Sequence, residues 1–347
     1  MRVEEVGGVT IVEGDATESL RLLDDQSVNC CVTSPPYWGL RDYGVAGQIG
    51  LESTPQEYVE KMVAVFREVR RVLRDDGTLW LNLGDSYARD PKKGGSGPNG
   101  KNGYGEGYSE ARSQLRGMQR ADESGMRTLG IQETRVDTPD ENPMPLVLAS
   151  SLTNKQLIGI PWRVAFALQA DGWYLRQDVI WAKTNPMPES VRDRCTKSHE
   201  YIFLLAKSEK YYFDADAIKE PATSTYKSSD FIPRSQKDKT DVTQAKTAAT
   251  GASANGRSDD PITANRNKRD VWTVATNPYK AAHFATFPPD LIDPCVLAGC
   301  PVGGVVLDPF GGAGTTGLVA QRHGRQAVLL ELNSKYVDLA VDRIRAG

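Results

Sequence analysis

Short apolar runs bounded by glycine, proline and aspartate alternate along this chain with longer stretches in which apolar residues recur every three or four positions. The runs Val9 to Glu13, Val28 to Val32, Thr78 to Leu83, Tyr174 to Trp181, Glu200 to Ala206, Val305 to Leu307 and Gln326 to Leu330 are predicted strands. Between them, Gln56 to Leu73 carries Val59, Met62, Val63, Phe66, Val69, Val72 and Leu73 at helical spacing, and Pro161 to Ala170 and Lys335 to Arg345 also read as helices. Strands alternating with helices predict an α/β fold, a predominantly parallel sheet with helices on both faces. There is no internal repeat.

Composition narrows this picture only a little. A chain of 347 residues, 39% hydrophobic, can build one large α/β domain with elaborations or two smaller ones. No run approaches the length of a membrane span and the first residues do not make a signal peptide, which predicts a cytoplasmic protein with no membrane partner. The five cysteines (Cys30, Cys31, Cys195, Cys295 and Cys300) show no paired zinc-ligand spacing and are odd in number, as reduced thiols would be, and no metal site is expected. Cys30 and Cys31 lie inside an apolar strand and read as core.

The chemistry begins where the second predicted strand stops. Thr33-Ser34-Pro35-Pro36-Tyr37-Trp38 delivers a hydroxyl, two rigid prolines and two aromatic rings to the strand's carboxyl end, the edge of an α/β sheet where ligands bind. This outlines a site for a flat molecule with an amino group. An exocyclic amine on cytosine or adenine is a poor nucleophile because its lone pair is delocalised into the ring, and acceptors aimed at its hydrogens favour the reactive, pyramidal form. Ser34 offers its side-chain oxygen; Pro35 has no N–H to donate but keeps its carbonyl. Consecutive prolines hold these acceptors in place, and Tyr37 supplies a face for stacking. As a short motif, Pro-Pro-Tyr also reads as a simple turn or an extended ligand for another domain.

Val305 to Gly317 reads as a buried strand running into a glycine-rich turn and then a helix starting near Thr315. Gly312 and Gly314 let the backbone approach a ligand closely, with the helix N-terminus behind them. The next strand ends in Glu331, a carboxylate placed to hold two ribose hydroxyls. Strand, glycine turn, helix, strand and acid also describe a dinucleotide site, so this half alone leaves nicotinamide enzymes open. A Gly-Lys-Ser/Thr ending is missing, which argues against a nucleotide triphosphate.

Together the two halves resemble the amino-methylating DNA methyltransferases that use S-adenosylmethionine. The catalytic signature of that family, Ser/Asn/Asp-Pro-Pro-Tyr/Phe/Trp, matches Ser34, Pro35, Pro36 and Tyr37, and its cofactor signature, Phe-x-Gly-x-Gly, matches Phe310 to Gly314. Catalytic motif first and cofactor loop last is similar to the order of the β group. Glu13-Gly14-Asp15, Val72 to Trp80, Ile180 to Lys183, His283 to Pro288 and Glu331-Leu332-Asn333 also look like family blocks. The resemblance implies a Rossmann-like, doubly wound, seven-stranded methyltransferase sheet with a reversed edge strand and a target-recognition insertion. It divides the chain into a catalytic half (1–85), a basic glycine-rich insertion (86–150), a continuation of the methyltransferase domain (151–206), a target-recognition region (207–270) and a cofactor half (271–347).

What the resemblance implies for function is methyl transfer from S-adenosylmethionine to an exocyclic amine of a base rotated out of double-stranded DNA, without a metal. Asp15, Asp308, Pro309, Phe310, Gly312, Gly314, Thr315, Glu331 and Asn333 would hold the cofactor, with His283 and Phe287 lining the same pocket. Asp308 and Glu331 also read as a turn cap and an exposed strand end, although their joint occurrence around Gly312 and Gly314 favours binding, and His283 and Phe287 read equally as ordinary packing. In this family a serine in the first motif position accompanies cytosine N4 methylation more often than adenine N6, which makes N4 of cytosine the expected target and adenine the alternative. Carbon-5 methylation needs a cysteine nucleophile where this chain has Ser34, and glutamine-methylating relatives begin the motif with asparagine. A homodimer and a companion restriction endonuclease are compatible with the resemblance, and no sequence feature demonstrates either. A catalytically idle DNA-binding module is the rival from another class; intact catalytic and glycine motifs weigh against it.

The net charge of −3 is unusual for a DNA-binding chain, but binding responds to local surface. Ser86 to Arg120 holds seven bases (Arg89, Lys92, Lys93, Lys101, Arg112, Arg116, Arg120) against three acids (Asp90, Glu106, Glu110), around the loop-like Gly94 to Gly100. The second polar region carries Arg234, Lys237, Arg266, Lys268 and Arg269, candidates for phosphate or guanine contact, although its centre, Thr247 to Asn255, reads as linker. Lys183, after a strand end, is a further candidate for guiding the target strand, and equally a surface lysine.

Overall fold

The computed structural model describes residues 2–40, 42–88, 152–221, 265–277 and 287–347. Most of the basic insertion, together with Arg234, Lys237, Thr247 to Asn255 and His283, lies outside the described residues. The chain divides into two compact units, one made of Met1–Asp214 and Arg269–Gly347, the other of Ala215–Lys268. In the second unit the described elements are β7 (Glu220–Pro221) and β8 (Asn265–Arg266), which pair antiparallel.

The first unit is built on a nine-stranded sheet of order β1-β2-β11-β10-β3-β4-β6-β5-β9. Its strands are β1 (Val3–Val6), β2 (Val9–Glu13), β3 (Val28–Thr33), β4 (Leu73–Leu83), β5 (Tyr174–Ala182), β6 (His199–Ala206), β9 (Val271–Thr273), β10 (Val305–Asp308) and β11 (Gln326–Glu331). The seven central strands are those predicted. The expectation of seven is corrected to nine: β1 folds back on β2 as an antiparallel hairpin, and β9 adds to the far side of β5 in parallel. Two strands are reversed: β1 at one edge, as expected, and β6, antiparallel to both β4 and β5 and flanked by them inside the sheet. All pairs from β2 to β4 are parallel.

Among the described residues six helices cover the sheet: α1 (Ala16–Leu20), α2 (Pro55–Val72), α3 (Ile160–Ala170), α4 (Pro289–Gly299), α5 (Thr315–Arg322) and α6 (Ser334–Ala346). Helix α2 shows why its sequence folds as it does. Thr54 Oγ1 accepts from Glu57 N (3.2 Å), Pro55 occupies the first turn, where its missing N–H costs nothing, and Arg70 and Arg71 face the negative end of the dipole. Its apolar stripe, Tyr58, Val59, Met62, Val65, Phe66, Val69 and Val72, packs in one core with Leu20 of α1, Val164 and Leu168 of α3, and Leu79, Leu81 and Leu83 of β4. Each such side chain contributes about 1.5–3 kcal/mol by burial. Alternate residues of the same strands face the other way: a Cβ on Gly299 of α4 would lie 2.7 Å from both Cys30 Sγ and Trp80 Nε1, so the helix backbone packs directly on these two sheet side chains. One layer of helices on each face makes the fold doubly wound.

Candidate active site

The register of β3 against β10 decides the site. Val306 lies opposite Cys30 and Leu307 opposite Cys31, so two segments some 275 residues apart end side by side at the sheet's carboxyl edge. A buried carboxylate ties them together. Asp308 accepts from Thr33 Oγ1 (2.6 Å), Thr316 Oγ1 (2.6 Å) and Phe310 N (3.0 Å), linking the residue before Ser34 to the start of α5. Burial pushes this carboxyl up to about 6 against the hydrogen bonds, which pull it down. These contacts make the residue a clasp between the two motifs.

The glycine turn is shaped by what surrounds it. Gly314, at φ +78°, is the residue before α5, and a Cβ there would meet Ala340 Cβ at 2.9 Å; neither the conformation nor the space suits a side chain. Gly312, at φ +51°, differs: a Cβ there would meet nothing nearer than the Phe310 carbonyl at 3.9 Å, because the space beside it belongs to a cavity. Glu331, at the end of β11, receives Gly312 N on Oε2 (2.8 Å) and Asn333 N on Oε1 (2.8 Å), and burial raises its carboxyl. Asn333 caps α6 through Lys335 N (3.0 Å), and Asp15 caps α1 through Thr17 N (2.8 Å) and Glu18 N (3.0 Å). Thr315 Oγ1 accepts from Arg343 Nη1 at 2.8 Å.

The cavity measures about 590 Å³, within the range of small-molecule sites. Its wall includes Ser34, Pro35, Pro36 and Tyr37 together with Asp15, Asp308, Pro309, Phe310, Gly312, Thr315, Glu331, Asn333 and Phe287. Gly314 is behind this wall, packed on α6. Lys183 is also on the wall, paired with Glu200 and 4.4 Å from the Trp181 ring. The other described basic candidates, Arg266, Lys268 and Arg269, are not among the wall residues. Arg266 pairs with Glu220 (2.9 Å), and the Arg269 carbonyl receives Trp272 Nε1 (2.7 Å).

Around Tyr37 the structure assembles residues that periodicity and motifs passed over. Its hydroxyl donates to Glu200 Oε2 (2.7 Å), lies 3.1 Å from Asn82 Oδ1 and accepts from Ser34 Oγ (3.3 Å). Its ring runs over Gly84, where a Cβ would come within 2.6 Å of Cε2. Tyr58 of α2 donates to the Pro36 carbonyl (2.9 Å), leaving Ser34 and Pro35 to offer acceptors to a ligand. Lys197 donates to the Asp85 carbonyl, its ammonium lowered chiefly by burial, while the Asp85 carboxylate caps α3 through Gly159 N (3.0 Å) and Ile160 N (3.1 Å). The available signal for Glu200 was a lone acid opening an otherwise apolar strand. Cys30 and Cys31 are fully buried with thiols raised by desolvation, hence core and not nucleophiles. Among the described residues no group of three or more His, Cys, Asp or Glu is placed to hold a metal ion, and no helix is long and apolar enough to cross a membrane.

A family model described as DNA methylase, covering N6 and N4 enzymes, matches residues 28–342. The chain belongs to the DNA methylase family. It is 44% identical over 341 residues to the type II methyltransferase M.Cfr9I of Citrobacter freundii, covering 98% of this chain and 89% of that one. It is also 44% identical over 334 residues to the type II methyltransferase M.SmaI of Serratia marcescens, covering 96% and 90%. In fold, this DNA methylase is similar to the PvuII cytosine-N4-specific DNA methyltransferase, with a TM-score of 0.58 at 16% identity over 97% of this chain and 86% of that one. It is similar too to a Thermus thermophilus protein assigned as a DNA modification methylase and solved with S-adenosyl-L-methionine, with a TM-score of 0.51 at 21% identity over 97% and 93%.

Proposed function

We propose that this DNA methylase transfers a methyl group from S-adenosylmethionine to N4 of a cytosine rotated out of double-stranded DNA. The observation that carries the reading is the shared cavity: Ser34 and the glycine turn of Gly312 line one space. The Glu331 carboxylate and the open approach over Gly312 fit the ribose of a nucleoside cofactor, with Asp15, Pro309, Phe310, Thr315, Asn333 and Phe287 around it. Bound there, the sulfonium supplies an electrophilic methyl group. Ser34 Oγ and the Pro35 carbonyl accept from the base amine and hold its lone pair toward that methyl. Rotation of the base costs a few kcal/mol, offset by stacking and hydrogen bonds in the cavity.

Cytosine is favoured over adenine by Ser34 in the first motif position, and the PvuII enzyme, which is cytosine-N4-specific, has a similar fold. The region 207–270, which contains the second unit, Ala215–Lys268, is proposed as the target-recognition region. The type II names of the relatives support a companion restriction endonuclease as a partner. The test is incubation with unmethylated DNA and S-adenosylmethionine, followed by nuclease digestion and mass spectrometry of the nucleosides. N4-methylcytosine is expected, and Ser34→Ala should remove nearly all of it while cofactor affinity is kept. N6-methyladenine would overturn the base assignment, and unchanged turnover in Ser34→Ala the site.

A further inference from the structure

Ser34 and Pro35 supply acceptors for the amine, and the proton that the amine must lose needs a destination. An amino nitrogen that has given its lone pair to a new N–C bond carries a positive charge until one N–H breaks. The cavity wall holds an ordered chain leading away from Ser34. Ser34 Oγ donates to Tyr37 Oη (3.3 Å), Tyr37 Oη donates to Glu200 Oε2 (2.7 Å), and Lys183 Nζ pairs with the other carboxylate oxygen. The direction is set by the far end. A carboxylate only accepts, the ion-assisted 2.7 Å bond is shorter than the 3.1 Å approach of Asn82 Oδ1, and so the phenol's one proton goes to Glu200. Tyr37 Oη is then an acceptor toward Ser34, and Ser34 turns its proton out of the cavity and its lone pairs in.

We propose that Glu200 is the positioning residue of this site, orienting Ser34 through Tyr37 and receiving, through both hydroxyls, the proton released by the methylated amine. This rests on the methyl-transfer reading above. The step balances: N–H breaks as Ser34 gains a proton, Ser34 gives its own to Tyr37, and Tyr37 gives its own to Glu200. Three bonds to hydrogen break and three form; the base returns from +1 to neutral, the carboxylate from −1 to neutral, and both hydroxyls end as they began. Burial, with the Glu200 charge beside it, holds the Tyr37 hydroxyl well above an ordinary phenol, so it relays a proton without standing as phenolate. Gly84 supports the relay by leaving room for the ring.

The experiment compares Glu200→Gln, Tyr37→Phe and the double variant in the full-length protein. Two readouts are used: the ζ-carbon NMR signal of Tyr37 with no cofactor or DNA added, and the single-turnover methylation rate at saturating S-adenosylmethionine and DNA. In Glu200→Gln the Tyr37 signal should move. The rate should fall by about 10- to 100-fold, the lower part of the range for general acid–base assistance. KM for cofactor and DNA should hold, and the double variant should be no slower than the slower single. Tyr37→Phe keeps the ring and serves as the second break in the same chain. A wild-type rate in Glu200→Gln, an unmoved Tyr37 signal, or losses that multiply in the double variant would overturn the proposal. Absence of methylation by the unmodified protein would instead overturn the reading it rests on, while the NMR arm still reports whether Glu200 orders Tyr37.

Discussion

Asp308→Asn offers a quantitative test of the clasp between the two motifs. The side chain is 1% exposed, and its carboxyl stands at about 6 in place of 3.8. A carboxyl whose folded value lies above its unfolded value binds protons more tightly in the folded chain. It therefore favours folding at low pH, and that advantage is lost as pH rises from about 4 to about 6. At about 1.4 kcal/mol per pH unit, the interval amounts to about 3 kcal/mol for keeping the charge buried at neutral pH. Asparagine retains an oxygen for Thr33 and carries no charge, while Thr316 Oγ1 has the Val32 carbonyl (3.3 Å) as a second acceptor. Denaturant unfolding of both proteins between pH 4 and pH 7 should show the wild type losing about 2–3 kcal/mol relative to the variant as pH rises. Glu331, also raised by burial, is present in both proteins and largely cancels. A stability difference that stays flat across this range, or that shifts in favour of the wild type, would refute the assignment of Asp308 as a charge held at a cost.

Gly84→Ala should lower the single-turnover rate about 100-fold and cost about 1–3 kcal/mol of stability, because its Cβ would stand 2.6 Å from a Tyr37 ring whose hydroxyl is already anchored; a near-wild-type rate would show that the ring yields. Gly312→Ala should cost about 1–2 kcal/mol of stability from its positive φ and weaken S-adenosylmethionine binding by about tenfold in calorimetry, since its methyl enters the cavity. Asp85→Ala should destabilise the fold by about 1–2 kcal/mol in urea unfolding by uncapping α3, with Asp85→Asn recovering part of the loss.

Legibility from sequence followed the length and purity of each local signal. The seven central strands and α2 announced themselves by runs and periods that burial on one or both faces requires. The missed elements each lack such a signal. Helix α1 is five residues long, α4 opens on Pro289 and contains Pro294, and β1 and β9 are edge strands of four and three residues. Strand β4 begins at Leu73, five residues before the predicted start, because Arg74-Asp75-Asp76-Gly77 looks like a turn; the strand instead continues through it, with a register irregularity against β3.

The sequence by itself determined the fold class, the two motifs and their chemical types, since hydroxyl, proline and glycine act through local geometry that neighbours along the chain impose. Only the tertiary structure decided that Thr33 and Thr316 share Asp308, that Gly312 faces open space while Gly314 does not, and that Glu200, on a strand 163 residues from Tyr37, stands at the end of its hydroxyl. Those facts depend on strand order and register. Both are set by which buried faces pack together across the whole chain, and a linear pattern of apolar positions specifies that a face is buried without specifying what lies opposite it.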